Sequence, residues 1–150
     1  MRLVVQRVTR ASVRVADEPI AEIGPGALVL AGIGGSDSAE VIDRMADKLV
    51  GLRYFEDGDG RTNTSIADVG GALLVVSQFT LYADVRRGRR PGFTGAALPD
   101  VAVPLLDRFV ERLRAAGIAV STGRFGADMA VELVNDGPFT LVIDSDRDLS

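Results

Sequence analysis

Short apolar segments separated by polar turns make up the first third of the chain. Their alternation predicts four strands, at residues 3–8, 12–16, 20–23 and 27–33. Gly24-Pro25-Gly26 is the clearest of the turns between them. Residues 72–79 begin with an unbroken apolar run, which predicts a strand buried on both faces. Three more strands are expected at 119–124, 129–134 and 139–143.

Apolar residues recur at helical spacing in two places. A first helix is predicted after Asp37, which we expect to cap it together with Glu40. Its buried face should hold Ile42, Met45, Ala46 and Leu49. A second helix is predicted over residues 101–116, with Pro104 in its first turn.

Many strands and only two helices predict the fold class. We expect a single α+β domain over residues 1–150, built on a mostly antiparallel curved sheet or small β-barrel. Residues 54–69 are expected to be a polar loop, and its Asp57 to Gly60 stretch lacks the ligand spacing of a calcium loop. Residues 145–150 are expected to be a frayed C-terminal tail.

Composition removes many chemistries. The 150 residues contain no cysteine and no histidine, which excludes disulfides, a Ser-His-Asp triad, a Cys-His pair and a histidine metal site. An all-carboxylate metal site is the alternative left open, but no spacing typical of one is recognisable, and we expect neither a metal nor a cofactor. The net charge of −4 is unlike that of a general nucleic-acid binder, so any RNA contact must be local. No segment is apolar enough to span a bilayer, and the N-terminus lacks the pattern of a secretory signal, so a cytoplasmic location is expected.

Polar residues follow the apolar run of the 72–79 segment directly. Ser77, Gln78, Phe79 and Thr80 place two hydroxyls and an amide where a strand end meets a cleft. The alternative is a strand end capped by its own hydroxyls, which the residues alone favour.

A second polar stretch, Asn135-Asp136-Gly137-Pro138, lies between two predicted strands. Asp-Gly favours a plain hairpin turn. Pro138 complicates that interpretation, because it removes a backbone donor and restricts the residue before it. Gly-Pro is a candidate for a cis bond, although only about 5–6% of such bonds are cis in folded proteins.

Four arginines fall within five residues, at Arg86, Arg87, Arg89 and Arg90. Guanidinium groups pair with phosphate through two hydrogen bonds, so the cluster can be a phosphate clamp. A solvated basic loop is an equally good interpretation. The nearness of Thr80 in sequence favours the clamp.

Taken together, the ordered motifs resemble the bacterial-type D-aminoacyl-tRNA deacylase family from residue 2 to about residue 143. The resemblance is carried by the Gln6 to Val13 opening, Glu22-Ile23-Gly24, Ser77 to Leu81, Arg90-Pro91 with Phe93, Thr122 to Phe125 with Ala127 to Met129, and Asn135 to Pro138 with Thr140. Two positions depart from the family pattern: Gly92 replaces a serine, and Thr62 replaces a methionine.

The resemblance implies a homodimeric ester hydrolase acting on the aminoacyl 3′ end of tRNA. It implies catalytic roles for Ser77, Gln78, Phe79 and Thr80, and a cis Gly137-Pro138 segment that enters the partner's pocket. Asn135 belongs to the same substrate-selecting stretch, and the four arginines are expected to contact tRNA phosphates. L-aminoacyl substrates would be rejected by fixed backbone, whereas D-aminoacyl substrates and glycine on alanine tRNA would be accepted.

The residues alone decide neither the catalytic mechanism nor the functional class of the protein. Water attack assisted by the ribose 2′-hydroxyl, with backbone donors near Phe79 and Thr80, competes with Thr80 as a nucleophile. Two other functions remain as alternatives: a non-catalytic RNA-binding module, and an esterase or amidase acting on free small molecules.

Overall fold

The computed structural model describes residues 1–149 of the chain. These residues contain eight strands, three α-helices and one 3-10 helix. Their order is β1 Arg2–Val15, β2 Glu18–Ile23, β3 Gly26–Gly32, α1 Ala39–Gly51, β4 Arg53–Glu56, β5 Thr62–Ser65, β6 Ala72–Ser77, the 3-10 helix Phe79–Tyr82, α2 Pro99–Ala115, β7 Ala119–Thr122, β8 Ala130–Asp144 and α3 Ser145–Asp148. No helix among these residues is long and apolar enough to cross a bilayer.

Six strands form one curved, nearly closed sheet in the order β2-β1-β3-β6-β7, with β8 on the other side of β1. β1 pairs antiparallel with β2, β3 and β8. The β3–β6 and β6–β7 pairs are parallel. β4 and β5 form a separate antiparallel hairpin. The α+β class predicted from the sequence is confirmed, although the sheet is parallel from β3 through β6 to β7.

Both faces of the central strands are covered. Leu73 and Val75 of β6 pack with α1 and α2 in the larger core cluster. Leu74 and Val76 pack into a second cluster on the opposite face, with residues of β1 and β3. The prediction that this strand is buried on both sides is confirmed, and it explains why its C-terminal end has a fixed position.

The two predicted helices exist, with corrected ends. Ser38, not Asp37, is the N-cap of α1, and its hydroxyl accepts from the backbone N–H of Val41. Asp37 instead accepts from the N-terminal ammonium and from the backbone N–H of Gly34. α2 begins at Pro99, so Pro104 lies beyond the first turn and not in it.

Four predictions about element boundaries are wrong. The strands expected at 129–134 and 139–143 both belong to one strand, β8, which begins at Ala130 and pairs with β1 in both parts. Residues 3–8 and 12–15 belong to one long strand, β1, because β8 pairs with it along nearly its whole length, and Ala16 lies in the turn that follows. The expected 54–69 loop contains the β4–β5 hairpin. Residues 145–149 are not frayed: they begin as helix α3, and the buried Ser145 accepts from the N-terminal ammonium. Ser150 of the expected tail lies outside the described residues.

Candidate functional site

A cavity of about 590 Å³ opens at the C-terminal end of β6. Ser77 and Gln78 contribute to its wall, and Phe79 begins the 3-10 helix beside it. The backbone N–H of Gln78 donates to the carbonyl of Ala31 at 2.8 Å, which ties this strand end to β3. The structure therefore brings Ser77, Gln78 and Phe79 together at one cavity, as the sequence predicted.

Thr80 lies beside the cavity and not in its lining. Its side-chain oxygen accepts a hydrogen bond from the Gln78 amide, and the residue is exposed. The first N–H groups of a helix have no acceptor within that helix, and here they belong to Phe79 and Thr80. This turn therefore offers backbone donors as well as side chains.

Aromatic rings form much of the cavity mouth. Phe79 is 55% exposed and meets Phe93 edge-to-face, with 5.1 Å between ring centres. Phe125, on the loop before β8, is 39% exposed and lines the same cavity. Exposed aromatic rings are unusual on a surface and offer flat apolar contacts to a ligand. Sequence reasoning gave neither Phe93 nor Phe125 a role, although both lie within the motifs of the resemblance.

Asp128 is the one ionisable residue that lines this cavity. The remaining lining is apolar, aromatic, hydroxyl or amide in character. In residues 1–149 no group of three or more carboxylates has an arrangement that could hold a metal ion. The chemistry available at this site is therefore that of backbone donors, hydroxyls, an amide and the carboxylate of Asp128.

The Asp136 to Phe139 segment is a bulge in a long strand, not the hairpin turn that its sequence favours. β8 pairs with β1 on both sides of it: Asn135 lies opposite Val8, and Thr140 lies opposite Gln6. Arg7 alone therefore faces four residues of β8. The Gly137–Pro138 peptide bond is cis.

Asn135 closes this bulge. Its side-chain oxygen accepts from the N–H of Phe139 at 3.0 Å, and its amide donates to the carbonyls of Phe139 and Arg7 at 2.9 and 2.8 Å. The amide thus satisfies backbone groups that the interrupted ladder leaves unpaired. Asn135 is part of the scaffold of the bulge, a role more specific than the sequence had assigned.

Gly137 has no room for a side chain. A Cβ at this position would lie 2.0 Å from the backbone nitrogen of Phe139. Gly137 and Pro138 are both exposed, and neither lines the cavity at the end of β6. The structure therefore separates these two residues from the Ser77–Phe79 cluster within one chain.

Arg7 contacts the bulge from the opposite strand, β1. The sequence analysis did not identify it as a site residue. It is only 7% exposed, and its guanidinium donates to the carbonyls of Asp136 and Tyr54 at 2.9 and 3.0 Å. Its charge also lies 4.5 Å from the centre of the Phe139 ring. The available signal was an arginine at a position of β1 that continues the inward alternation of Leu3 and Val5.

The arginine cluster lies on an exposed loop outside the cavity lining. Asp84 and Gly92 close this loop through paired backbone hydrogen bonds. Arg86 is tied to Asp84 by two side-chain hydrogen bonds of 2.9 and 2.7 Å, which hold the pKa of Asp84 well below its usual range. Arg87, Arg89 and Arg90 have no ion-pair partner within residues 1–149.

Comparison with known proteins decides the family. Residues 4–144 match the family model described as D-Tyr-tRNA(Tyr) deacylase. The chain belongs to this family. A D-aminoacyl-tRNA deacylase from Symbiobacterium thermophilum is 58% identical over 147 residues, 98% of this chain and 97% of that protein. One from Roseiflexus is 59% identical over 97% of this chain and 94% of that protein.

Solved structures show the same fold as this deacylase-family chain. One described as c-Myc DNA Unwinding Element Binding Protein has a TM-score of 0.90 at 40% identity, covering 96% of this chain and 98% of that one. A probable eukaryotic D-amino acid tRNA deacylase has a TM-score of 0.82 at 21% identity, over 95% and 97% of the two chains. At that identity the second match is evidence for the fold alone.

Proposed function

We propose that the protein hydrolyses the ester bond of D-aminoacyl-tRNA as a homodimer in the cytoplasm. One observation carries the proposal: an exposed, firmly held backbone bulge on one face, and an aromatic cavity elsewhere that the same chain's bulge does not enter. Family membership supplies the reaction class.

The proposed dimer brings these two halves together. Within residues 1–149, β8 pairs only with β1, so its outer edge is free along a 15-residue strand. Val131, Val134 and Val142 are exposed on it. A long apolar edge strand is a surface that proteins normally cover. Val131 also lines the cavity, so a partner covering this edge would reach the cavity mouth.

Hydrolysis in this site needs little side-chain chemistry. Water adds to the ester carbonyl, the ribose 3′ oxygen leaves with a proton, and the products are free D-amino acid and tRNA. We propose that the neighbouring 2′-hydroxyl assists the water, while the N–H groups of Phe79 and Thr80 stabilise the oxyanion. The absence of histidine and cysteine from the sequence is compatible with this scheme.

Thr80 as a covalent nucleophile is the competing mechanism. A nucleophilic hydroxyl needs a neighbouring base that removes its proton. The group bonded to this hydroxyl is the Gln78 amide nitrogen, which donates and cannot serve as a base. The contact therefore favours a role for Thr80 in positioning.

Stereochemical selection is assigned to the partner's bulge. Backbone carbonyls of Gly137 and Pro138 would accept from the substrate's α-ammonium and fix the α-hydrogen, leaving space on one side of the α-carbon. The Asn135 and Arg7 contacts hold the bulge so that an L side chain cannot displace it. Glycine carries no side chain to reject, so glycyl-tRNA, including glycine on alanine tRNA, is a proposed substrate.

The exposed arginines are the proposed contacts to tRNA phosphate. Arg87, Arg89 and Arg90 are available for this, whereas Arg86 already pairs with Asp84 and would serve to shape the loop. The acidic chain then binds RNA through a local patch.

Matched D- and L-aminoacyl-tRNAs carrying the same amino acid test the function. Purified protein should release the D-amino acid rapidly and leave the L-ester at its spontaneous rate. Binding of both RNAs without release would favour the RNA-binding module. Equal cleavage of a free small ester would favour an esterase of small molecules.

A further inference from the structure

A second cavity, of about 370 Å³, adjoins the first. Ser77 and Phe125 line both cavities, so the two are neighbours across these residues. Its wall is built from Leu106 and Val110 of α2 and from the ends of β6 and β7. Its volume lies at the low end of the roughly 300–1,000 Å³ of ligand pockets, which suits one ring system.

The charged groups that line this second cavity are two carboxylates and one arginine. Asp107 and Glu111 lie one helical turn apart on α2 and line it. Asp107 has no hydrogen-bond or ion-pair partner in the described part of the chain. Arg114 is already engaged, since it donates to Glu111 at 3.1 Å and to the carbonyl of Val120 at 3.0 Å. The cavity therefore disfavours a phosphate and favours a neutral ligand with N–H donors.

Phe125 supplies the apolar contact. Its ring is exposed, and the loop that carries it is folded locally: the N–H of Arg124 lies 3.4 Å from the sulfur of Met129, and the N–H of Ala127 donates to the carbonyl of Arg124. An aromatic ring shared by two adjoining cavities can stack on a base from either side, and base stacking is tolerant of sequence.

We propose that this second cavity binds the cytosine base that precedes the terminal adenosine of tRNA. Its exocyclic amine donates to the Asp107 carboxylate while the base stacks on Phe125, since carboxylates accept from the N4 amine of cytosine and Glu111 is already paired with Arg114. Uracil presents a carbonyl at the same place, which a carboxylate repels. This inference rests on the proposed function, because it requires that the first cavity receive the aminoacyl-adenosine end.

Chemically aminoacylated acceptor-stem RNAs test it, one ending in CCA and one with uridine in place of the cytidine next to the adenosine. The wild-type protein should hydrolyse the D-aminoacyl CCA form with a kcat/KM about tenfold higher than the uridine form. Asp107→Asn should lower kcat/KM for the CCA form through KM and bring the ratio of the two RNAs close to one. An amide can both donate and accept, so it no longer repels uracil.

Two controls separate this subsite from a general defect. Asp17→Asn removes the same charge from the exposed β1–β2 turn and should leave the ratio unchanged. D-aminoacyl-adenosine, which lacks the cytidine, should be hydrolysed equally by wild type and Asp107→Asn.

Three results would overturn the subsite. They are an equal rate of the wild type on the two RNAs, an unaltered ratio in Asp107→Asn, and an Asp107→Asn variant that loses as much activity on D-aminoacyl-adenosine as on the RNA. If the wild type hydrolyses D-aminoacyl-adenosine but neither RNA faster than water does, the subsite falls while ester hydrolysis stands. If no D-aminoacyl ester is cleaved, the proposed function itself falls.

Discussion

The guanidinium of Arg7 lies 4.5 Å from the centre of the Phe139 ring and donates to the Asp136 carbonyl. These two contacts hold both ends of the bulge that contains Gly137 and Pro138. The geometry of the bulge therefore depends on a residue far away in sequence, on the strand opposite.

Replacing Arg7 should lower both the selectivity for D-aminoacyl over L-aminoacyl substrates and the free energy of unfolding. Arg7→Met removes charge-assisted hydrogen bonds to two carbonyls, which should cost on the order of 3 kcal/mol in the free energy of unfolding. The ratio of D- to L-aminoacyl-tRNA hydrolysis should also fall, because the bulge loses its support. Urea unfolding and the two hydrolysis rates measure these effects.

Arg10→Met is the matched control, since Arg10 forms only an exposed pair with Glu132 on the same two strands. Its cost should stay within about 1 kcal/mol, with the D/L ratio unchanged. A destabilised Arg7→Met protein that keeps the full D/L ratio would show that Arg7 serves folding alone.

Two inactive variants should restore each other's activity if the site is shared between subunits. Gly137→Ala forces a Cβ against the Phe139 nitrogen and should inactivate the donated bulge. Gln78→Ala should impair the receiving cavity. After subunit exchange in an equal mixture, about half of the dimers contain one subunit of each variant. Each of these mixed dimers has one fully native site, so about a quarter of all sites are native. Activity of the mixture, measured against each variant alone, gives the result.

Gly58→Ala controls for the glycine change, because no atom lies within 4 Å of a Cβ there. This variant should keep wild-type activity. Failure of the mixture to recover, with subunit exchange verified by mass spectrometry, would mean that each subunit holds a complete site.

Thr80→Ala distinguishes the two mechanisms. If Thr80 only positions Gln78 and supplies a backbone N–H, kcat should fall by no more than about tenfold, since a single neutral hydrogen bond is removed. Thr80→Ser retains the hydroxyl and should be close to wild type. A complete loss in Thr80→Ala, rescued by serine, would establish the nucleophile and refute water attack.

Charge reversal at Arg87 and Arg89 should affect RNA substrates alone. The double variant Arg87→Glu, Arg89→Glu should raise KM for D-aminoacyl-tRNA, and the loss should diminish at high salt because phosphate contacts are screened. Hydrolysis of D-aminoacyl-adenosine should be unaffected. Equal kinetics on charged tRNA would assign the cluster to a solvated loop. Arg14→Glu, exposed on β1, provides a control of the same type.

Alkaline pH should destabilise the protein through its tyrosines. Burial raises the pKa of Tyr54 far above its ordinary value of 10, and burial followed by the charge of Asp37 raises that of Tyr82. The folded state retains protons that the unfolded chain releases, so the free energy of unfolding should fall as pH rises past 10.

Tyr54→Phe should weaken this dependence. The Tyr54 hydroxyl is buried without a hydrogen-bond partner, so its removal at pH 7 should change stability by less than about 1 kcal/mol. Urea unfolding at neutral and alkaline pH compares the two slopes. An undiminished slope in Tyr54→Phe would show that this phenol does not release its proton on unfolding.

Local patterns in the sequence predicted the helices and β6 because each has a periodicity that its own residues determine. The apolar face of α1 and the doubly buried run of β6 are examples. The single strand β1 could not be read in this way. Its exposed Thr9 and Arg10 interrupt the pattern, and the strand continues because β8 pairs with Val8 and Arg10 on either side of Thr9.

The cavity could be predicted from the sequence because the polar Ser77 and Gln78 come directly at the end of a buried apolar run. The bulge could not be predicted, since Asp-Gly locally favours a turn. The bulge forms through contacts of Arg7 and Asn135 across two strands. Long-range contacts of this kind leave almost no trace in local spacing. An arginine in an inward position of a strand was the one signal present.

Pairing of β1 with β8 on both sides of the bulge also ties its length to the core. A deletion between Asn135 and Thr140 must either shorten the bulge or shift the rest of the strand by one position, which would turn Ile143 from the interior toward solvent. Insertions and deletions in this segment are thus opposed by folding itself, before any selection on catalysis applies.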